Sequence, residues 1–111
     1  MKKENQFTAE FTKWNKGENW VDGVVGKYKF QAKLFDEGSI FGINDGRVSK
    51  LSIWDESVRQ EKQNFFAACI MNYDRGWDSK PKREHRPYFN AVMELLENAP
   101  KDRFIGIETE L

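Results

Sequence analysis

The chain has 111 residues, of which 32% are charged and 14% are aromatic, and 18 basic residues balance 18 acidic ones. A chain of this length has room for one hydrophobic core, and its aromatic content excludes a wholly disordered chain. We therefore predict a single domain over residues 1–111. A net charge of zero argues against a protein whose main role is to coat nucleic acid.

The first two thirds of the chain alternate between apolar and polar residues, as β-strands do. FTAEFTKW (7–14) is a strand candidate, NKGEN (15–19) is a predicted turn, and YKFQAKLF (28–35) contains the clearest strand. In that strand one face is apolar and the other is polar, which is typical of a half-buried strand in an antiparallel sheet. The apolar face comprises Tyr28, Phe30, Ala32 and Leu34, and the polar face comprises Lys27, Lys29, Gln31 and Lys33.

The middle of the chain continues this pattern less clearly. The dipeptide Asp45-Gly46 favours a tight hairpin, so SIFGI (39–43) is predicted to be a short strand that pairs with RVSKLSIW (47–54). DESVRQEKQ (55–63) is predicted to be a polar turn. NFFAACIMNY (64–73) is apolar on both faces and is predicted to be a covered central strand.

The pattern then becomes helical. RPYFNAVMELLENAP (86–100) has apolar residues at helical spacing, with Pro87 in the first turn and Pro100 at the end. DRFIGIETEL (102–111) alternates again and is a tail or a last strand. These elements predict an α+β fold: a mainly antiparallel sheet of about four to six strands, with one C-terminal amphipathic helix packed on a face.

The stretch NYDRGWD (72–78) is the first candidate site. Asp74 followed by Gly76 predicts a tight turn with a positive φ at the glycine, in which Arg75 bridges two acids or lies on an aromatic ring. This structural interpretation is favoured, partner binding comes second because such residues anchor interfaces, and catalysis comes third. The partner-binding candidates are Tyr73, Asp74, Arg75, Trp77 and Asp78.

Basic residues form the second candidate, for an anion or nucleic acid. The segment KPKREHR (80–86) precedes the helix, where cations oppose the helix dipole, and this cost suggests a use in binding an anion. Outward lysines near Phe35 and Trp54 resemble platforms that stack bases and hold phosphates. Solvated connectors and soluble sheet edges explain the same charges and are favoured. These candidates are Lys27, Lys29, Lys33, Lys50, Lys80, Lys82, Arg83 and Arg86.

The sequence offers little catalytic chemistry. His85 is the only histidine and lies far in sequence from Cys69, and zinc sites need several such ligands. Acids could hold magnesium, as in metal-dependent nucleases, but their spacing does not favour this. Those acids are Asp55, Glu56, Asp74 and Asp78. We therefore predict no enzyme, no cofactor and no metal site.

The sequence also indicates a compartment. A single cysteine, Cys69, excludes an internal disulfide and is typical of a reducing environment. The segment MKKENQFTAE (1–10) lacks the apolar stretch of a signal peptide, and no run reaches the roughly 18 apolar residues of a membrane span. We therefore expect a cytoplasmic protein that does not bind membranes.

Four short motifs followed by a helix are similar to a family of small uncharacterised proteins that phages, prophages and conjugative elements of Firmicutes bacteria encode. The motifs are WVDG (20–23), YKFQAK (28–33), GRVSKL (46–51) and YDRGWD (73–78). The resemblance covers about residues 20–98; the strand candidate 7–14 and the tail 101–111 depart from it. It implies a mobile-element setting and no catalytic residues.

In such a setting small proteins are expected to act as inhibitors or adaptors. The first functional prediction is therefore a non-enzymatic accessory protein that binds a macromolecule, with a protein partner favoured over a nucleic acid. A nucleic-acid-binding module is the alternative, and a metal-dependent nuclease is a distant third.

Overall fold

The computed structural model describes residues 7–14 and 19–101. Six strands form one antiparallel sheet in sequence order, so each strand pairs with the strand before it. The strands are β1 (Ala9–Trp14), β2 (Trp20–Val25), β3 (Tyr28–Leu34), β4 (Val48–Trp54), β5 (Cys69–Asp74) and β6 (Trp77–Ser79). The predicted α+β class and antiparallel sheet are confirmed. The predicted tail 102–111 and most of the predicted turn 15–19 lie outside the described residues.

Strand β3 confirms the predicted alternation. Its four apolar residues have at most 7% of their surface exposed, whereas Lys29 and Gln31 are exposed. A two-residue turn joins β2 to β3, and Gly26 takes the left-handed φ of 58° that such turns favour. The pair Asp22-Gly23 lies inside β2. The alternation of β3 thus divides the sheet into an inner, apolar face and an outer, polar face.

One long helix covers the inner face. Helix α3 (Arg86–Glu97) has Pro87 in its first turn and buries Val92 and Leu96 completely. It is the amphipathic helix that the spacing over 86–100 predicts. Beneath it, a continuous core includes Val21, Val25, Phe30, Leu34, Val48, Leu51, Ile53 and Met71. No helix within 7–14 and 19–101 is long and apolar enough to cross a membrane.

A row of polar side chains crosses the outer face from β2 to β6. Between β2 and β3, Gln31 donates to Asp22 at 2.9 Å. Between β4 and β6, Ser52 donates to Asn72, whose amide donates to Asp78 at 2.9 Å. The outer face therefore carries acids as well as lysines.

Helix α1 (Glu56–Lys62) replaces the polar turn predicted over 55–63. Its first N–H groups are satisfied by Asp55, whose Oδ1 accepts from the N–H of Ser57 at 3.0 Å and of Val58 at 3.3 Å. An acidic residue at this position is a strong helix start signal. The prediction of a turn was wrong because it was based on the polarity of the segment and did not consider Asp55 as a helix N-cap.

Helix α2 (Phe65–Ala68) replaces the first half of the central strand predicted over 64–73. Asn64 caps it by accepting from the N–H of Ala67 at 3.2 Å. The strand was predicted because apolar residues on both faces indicate that both faces are covered. The ring of Phe66 is exposed, so this segment is not covered on both faces. The strand begins at Cys69, and the prediction was wrong for the five residues 64–68.

The segment 39–43 forms a loop, so the prediction of a short strand was wrong. A single 3₁₀ turn, Ile43–Asp45, places Asn44 and Asp45 at φ angles of 54° and 60°, while Gly46 has a φ of −95°. The positive φ angles thus precede the glycine instead of forming the hairpin that Asp45-Gly46 favours. The hydroxyl of Tyr73 donates to the carbonyl of Phe41 at 3.0 Å and ties this loop to the sheet.

Candidate functional site

The turn between β5 and β6 presents Arg75 at its tip. Tyr73 and Trp77 pair across the hairpin, and the N–H of Asp74 donates to the carbonyl of Gly76 at 2.9 Å. Arg75, not Gly76, takes the positive φ, at 59°. The N–H of Arg75 donates to the carbonyl of Ser49 at 2.8 Å, which ties the turn to β4. The predicted tight turn is present, but the prediction of its positive φ at the glycine was wrong.

The two aromatic residues of the turn belong to the inner face. The ring of Trp77 lies 5.2 Å from that of Tyr73 and 5.7 Å from that of Phe89 on α3, centroid to centroid. Tyr73 is 7% exposed and Trp77 is 37% exposed. Lys80, rather than Arg75, places its Nζ over the Trp77 ring, at 6.0 Å. These contacts give Trp77 a packing role between the hairpin and the helix.

The two acids of the turn belong to the outer face. Asp74 Oδ1 lies 3.7 Å from Lys50 Nζ and 3.3 Å from Arg75 Nε. Asp78 instead accepts from Asn72. Arg75 therefore pairs with Asp74 in the structure, and the five predicted partner-binding residues are divided between two faces of the sheet.

The four predicted sheet lysines are also divided. Lys33 and Lys50 are paired across β3 and β4, near the end of the sheet where Arg75 lies. Lys29 pairs with Trp54 towards the opposite end, and Lys27 lies in the β2–β3 turn, 3.7 Å from Asp55. One continuous lysine platform is thus not formed.

Aromatic rings position the two central lysines. Lys33 Nζ lies 5.8 Å from the ring centroid of Trp20 and 5.8 Å from that of Phe35. Lys50 Nζ also lies 5.8 Å from the centroid of Trp20. Cation–π attraction at these distances orients both ammonium groups above the outer face.

A cavity of about 650 Å³ opens at this end of the outer face. It brings Arg75 of the turn together with Lys33 and Lys50 of the sheet, and Phe35 and Phe41 add apolar walls. We call these five residues the basic pocket. Asp36 and Glu37 also line the cavity, and Lys101 lies 3.0 Å from Glu37. The structure thus joins residues from two candidates that the sequence suggests separately.

The predicted basic segment 80–86 lies elsewhere. It includes a 3₁₀ turn, Arg83–His85, and leads into α3 on the inner face, where His85 contacts the ring of Tyr28 at the first residue of β3. The basic pocket lies at the opposite end of β3, beside Lys33 and Phe35. The four cations of the segment are exposed and do not line the pocket: Lys80, Lys82, Arg83 and Arg86.

A protein-family model described as "Domain of unknown function (DUF7678)" matches residues 19–97. The chain belongs to this DUF7678 family. The match runs from the start of β2 to the end of α3 and contains the whole basic pocket, whereas β1 precedes it. No curated protein and no solved structure matches the chain.

Three titratable groups of this DUF7678 chain that could take part in catalysis have shifted pKa values. Burial raises the pKa of the Cys69 thiol to about 11, so the thiol is protonated at neutral pH. The hydroxyl of Ser57 lowers the pKa of Asp55, and the guanidinium of Arg59 lowers that of Glu56. In the described ranges no three His, Cys, Asp or Glu residues are grouped as a metal site would require.

Sequence reasoning missed two residues of this DUF7678 chain. Phe41, 53% exposed, lines the basic pocket, and it was overlooked because segment 39–43 resembles a strand. Arg47 joins the segment before β4 to the end of α3 through two hydrogen bonds with Glu97, which is 50 residues away in sequence. The position of Phe41 in a glycine-containing loop was the sequence feature that could have indicated its role. For Arg47 the only such feature was its place in the motif GRVSKL.

Proposed function

We propose that this DUF7678 chain is a non-enzymatic, cytoplasmic binding protein that recognises a protein partner through the basic pocket. In the mobile-element setting that the resemblance implies, it acts as an inhibitor or adaptor. The observation that carries the proposal is the meeting of Lys33, Lys50 and Arg75 beside two aromatic walls in one open cavity. Arginine and aromatic residues are the usual anchors of protein interfaces.

The distribution of charge supports a protein partner over nucleic acid. A polyanion binds best along a continuous basic track. Here Lys29 and segment 80–86 are remote from the pocket, and Asp22, Asp74 and Asp78 interrupt the outer face. A short segment of a protein can reach the cations of the pocket without meeting Asp22 or Asp78, neither of which lines the cavity.

A metal-dependent nuclease has less support. Asp74 is paired with two cations, and Asp78 accepts a hydrogen bond from Asn72. Both contacts reduce the capacity of these carboxylates to bind a divalent ion, because the ion would have to displace them. The two other candidate acids, Asp55 and Glu56, belong to the start of α1.

The experiment is affinity capture with the tagged full chain, from a lysate of a bacterium that carries its gene, with and without nuclease. The double variant Lys33→Ala, Lys50→Ala removes two cations of the pocket. The matched control Lys29→Ala, Lys82→Ala removes two exposed cations outside it. We expect a protein partner that survives nuclease, is retained by the control and is lost with the pocket variant.

Two results would contradict the proposal. Recovery of nucleic acid that disappears after nuclease treatment would favour the nucleic-acid alternative. Equal recovery by the pocket variant and the control would show that the partner binds another surface.

A further inference from the structure

We propose that the basic pocket receives a short acidic segment of the partner, and that Asp74 occupies the same cations when the partner is absent. This inference rests on the proposed function and names the chemistry of its ligand. It follows from how the three cations are held, from the apolar walls beside them and from the position of Asp74.

Asp74 is an internal carboxylate ligand for two of the three cations. Its Oδ1 lies 3.7 Å from Lys50 Nζ and 3.3 Å from Arg75 Nε. The side chain of Asp74 is 45% exposed, and those of Lys50 and Arg75 are 34% and 64% exposed. Exposed ion pairs of this kind are weak and exchange readily. A carboxylate of the partner can therefore replace Asp74 at little cost.

The third cation is held by rings. Lys33 Nζ lies over both Trp20 and Phe35, and Lys50 Nζ lies over Trp20. A ring whose face is covered by an ammonium group has less surface on which to stack a base. The arrangement presents ammonium groups to an anion and disfavours the stacking by which single-stranded nucleic acids bind. A carboxylate is the anion that the chain itself places against two of these cations, through Asp74.

The pocket also has an apolar component. Phe41 lines the cavity and is 53% exposed, and the Tyr73 hydroxyl fixes its carbonyl. Ile40, the residue before it, lies outside the lining and is 81% exposed. Large apolar side chains exposed together often mark an interface. The cavity, about 650 Å³ in volume, is larger than one carboxylate requires. An acidic segment that also carries an apolar side chain fits both halves of the pocket.

The test begins with selection of a random peptide library on the immobilised full chain, with parallel selection on the Lys33→Ala, Lys50→Ala variant. We expect enrichment of peptides rich in Asp and Glu that contain an apolar residue, on the wild type alone. Enrichment of peptides without acids, equal enrichment on both proteins, or no enrichment would overturn the inference.

The second arm measures the affinity of one enriched acidic peptide by fluorescence anisotropy. Asp74→Asn removes the internal competitor, so we expect binding about two- to fivefold tighter. Lys29→Ala is the control and should leave the affinity unchanged. Unchanged or weaker binding by Asp74→Asn, or tighter binding of a single-stranded oligonucleotide than of the peptide, would overturn the inference.

The two proposals fail separately. If a cellular protein is captured through the pocket but the library yields no acidic peptides, the proposed function stands and its acidic ligand is wrong. If capture does not depend on Lys33 and Lys50, the proposed function itself is wrong.

Discussion

Arg47 and Glu97 bind each other twice and join the β4 strand to the end of α3. The backbone N–H of Arg47 donates to Glu97 Oε2 at 2.9 Å, and its Nη1 donates to the Glu97 carbonyl at 2.9 Å. The same nitrogen donates to the carbonyl of Ala99 at 2.7 Å, and Nε donates to that of Phe35 at 2.8 Å. A cation at these carbonyls also complements the negative end of the helix dipole.

Replacing Arg47 should therefore loosen the helix from the sheet. Arg47→Met keeps an unbranched side chain but removes every side-chain donor, and partly buried carbonyls lose their partners. We expect a loss of about 2–3 kcal/mol in the free energy of unfolding, measured by urea denaturation. Arg83→Met, at an exposed arginine, is the control, with an expected change within about 0.5 kcal/mol. Equal effects of the two substitutions would contradict the claim that the hydrogen bonds of Arg47 hold α3 on the sheet.

Gly23 is the second position at which the fold allows little change. A Cβ there would lie 2.3 Å from the carbonyl oxygen of Glu10 and 2.3 Å from Cζ of Phe30. Because one contact is with backbone, Gly23→Ala should destabilise the chain by at least about 2 kcal/mol. At Gly76 the same substitution meets nothing within 4 Å.

Gly76→Ala is thus the matched control for Gly23→Ala. The φ of Gly76 is not in the left-handed region, so alanine should be neutral or stabilise by about 0.5 kcal/mol. Thermal melting of both variants checks the pair. A Gly76→Ala variant that loses as much stability as Gly23→Ala would contradict this account of the hairpin.

Trp77 should contribute to stability more than to binding. Trp77→Ala removes ring contacts with Tyr73 and Phe89 and should cost about 2 kcal/mol of stability. Trp77→Phe keeps an aromatic ring in this position and should retain the captured partner. Loss of the partner by a stably folded Trp77→Phe variant would restore the sequence-based prediction that Trp77 anchors it.

The start of α1 should make stability depend on pH. Glu56 accepts from Arg59 at 2.8 Å and from the Trp54 indole at 2.8 Å, and these contacts, with Gln60, lower its pKa. A lowered folded-state pKa stabilises the fold above the unfolded-state value of roughly 4, and this contribution declines as the pH falls below about 5. The melting temperatures of wild type and Glu56→Gln should therefore converge from about pH 7 to about pH 3. A gap that widens on acidification would contradict the assignment.

Local patterns predicted much of the fold because they depend on neighbouring residues. The alternation of β3 and the helical spacing of α3 each follow from where side chains point along one element. The short helices α1 and α2 each begin at a single capping residue, Asp55 and Asn64. An interpretation based on the overall polarity of each segment does not detect a single cap, so both helices were missed.

The site could be predicted only in parts. Arg75, Lys33 and Lys50 were all candidates, but their assembly depends on the register of β3 with β4 and on the bond from the Arg75 N–H to Ser49. Register and long-range hydrogen bonds are not visible in a single sequence. The position of Phe41 in the pocket also involves a long-range hydrogen bond, from the Tyr73 hydroxyl to the Phe41 carbonyl.

The most direct test of the basic pocket compares two adjacent positions, Arg75→Gly and Gly76→Ala, in affinity capture of the partner. Arg75 holds a left-handed φ of 59°, so glycine removes the guanidinium while relieving backbone strain, and stability should not fall. We expect Arg75→Gly to weaken the affinity for the partner about tenfold. At protein concentrations below Kd this corresponds to a loss of about 90% of the captured partner, whereas Gly76→Ala should retain it. Full recovery by a folded Arg75→Gly variant would contradict the claim that the basic pocket binds the partner.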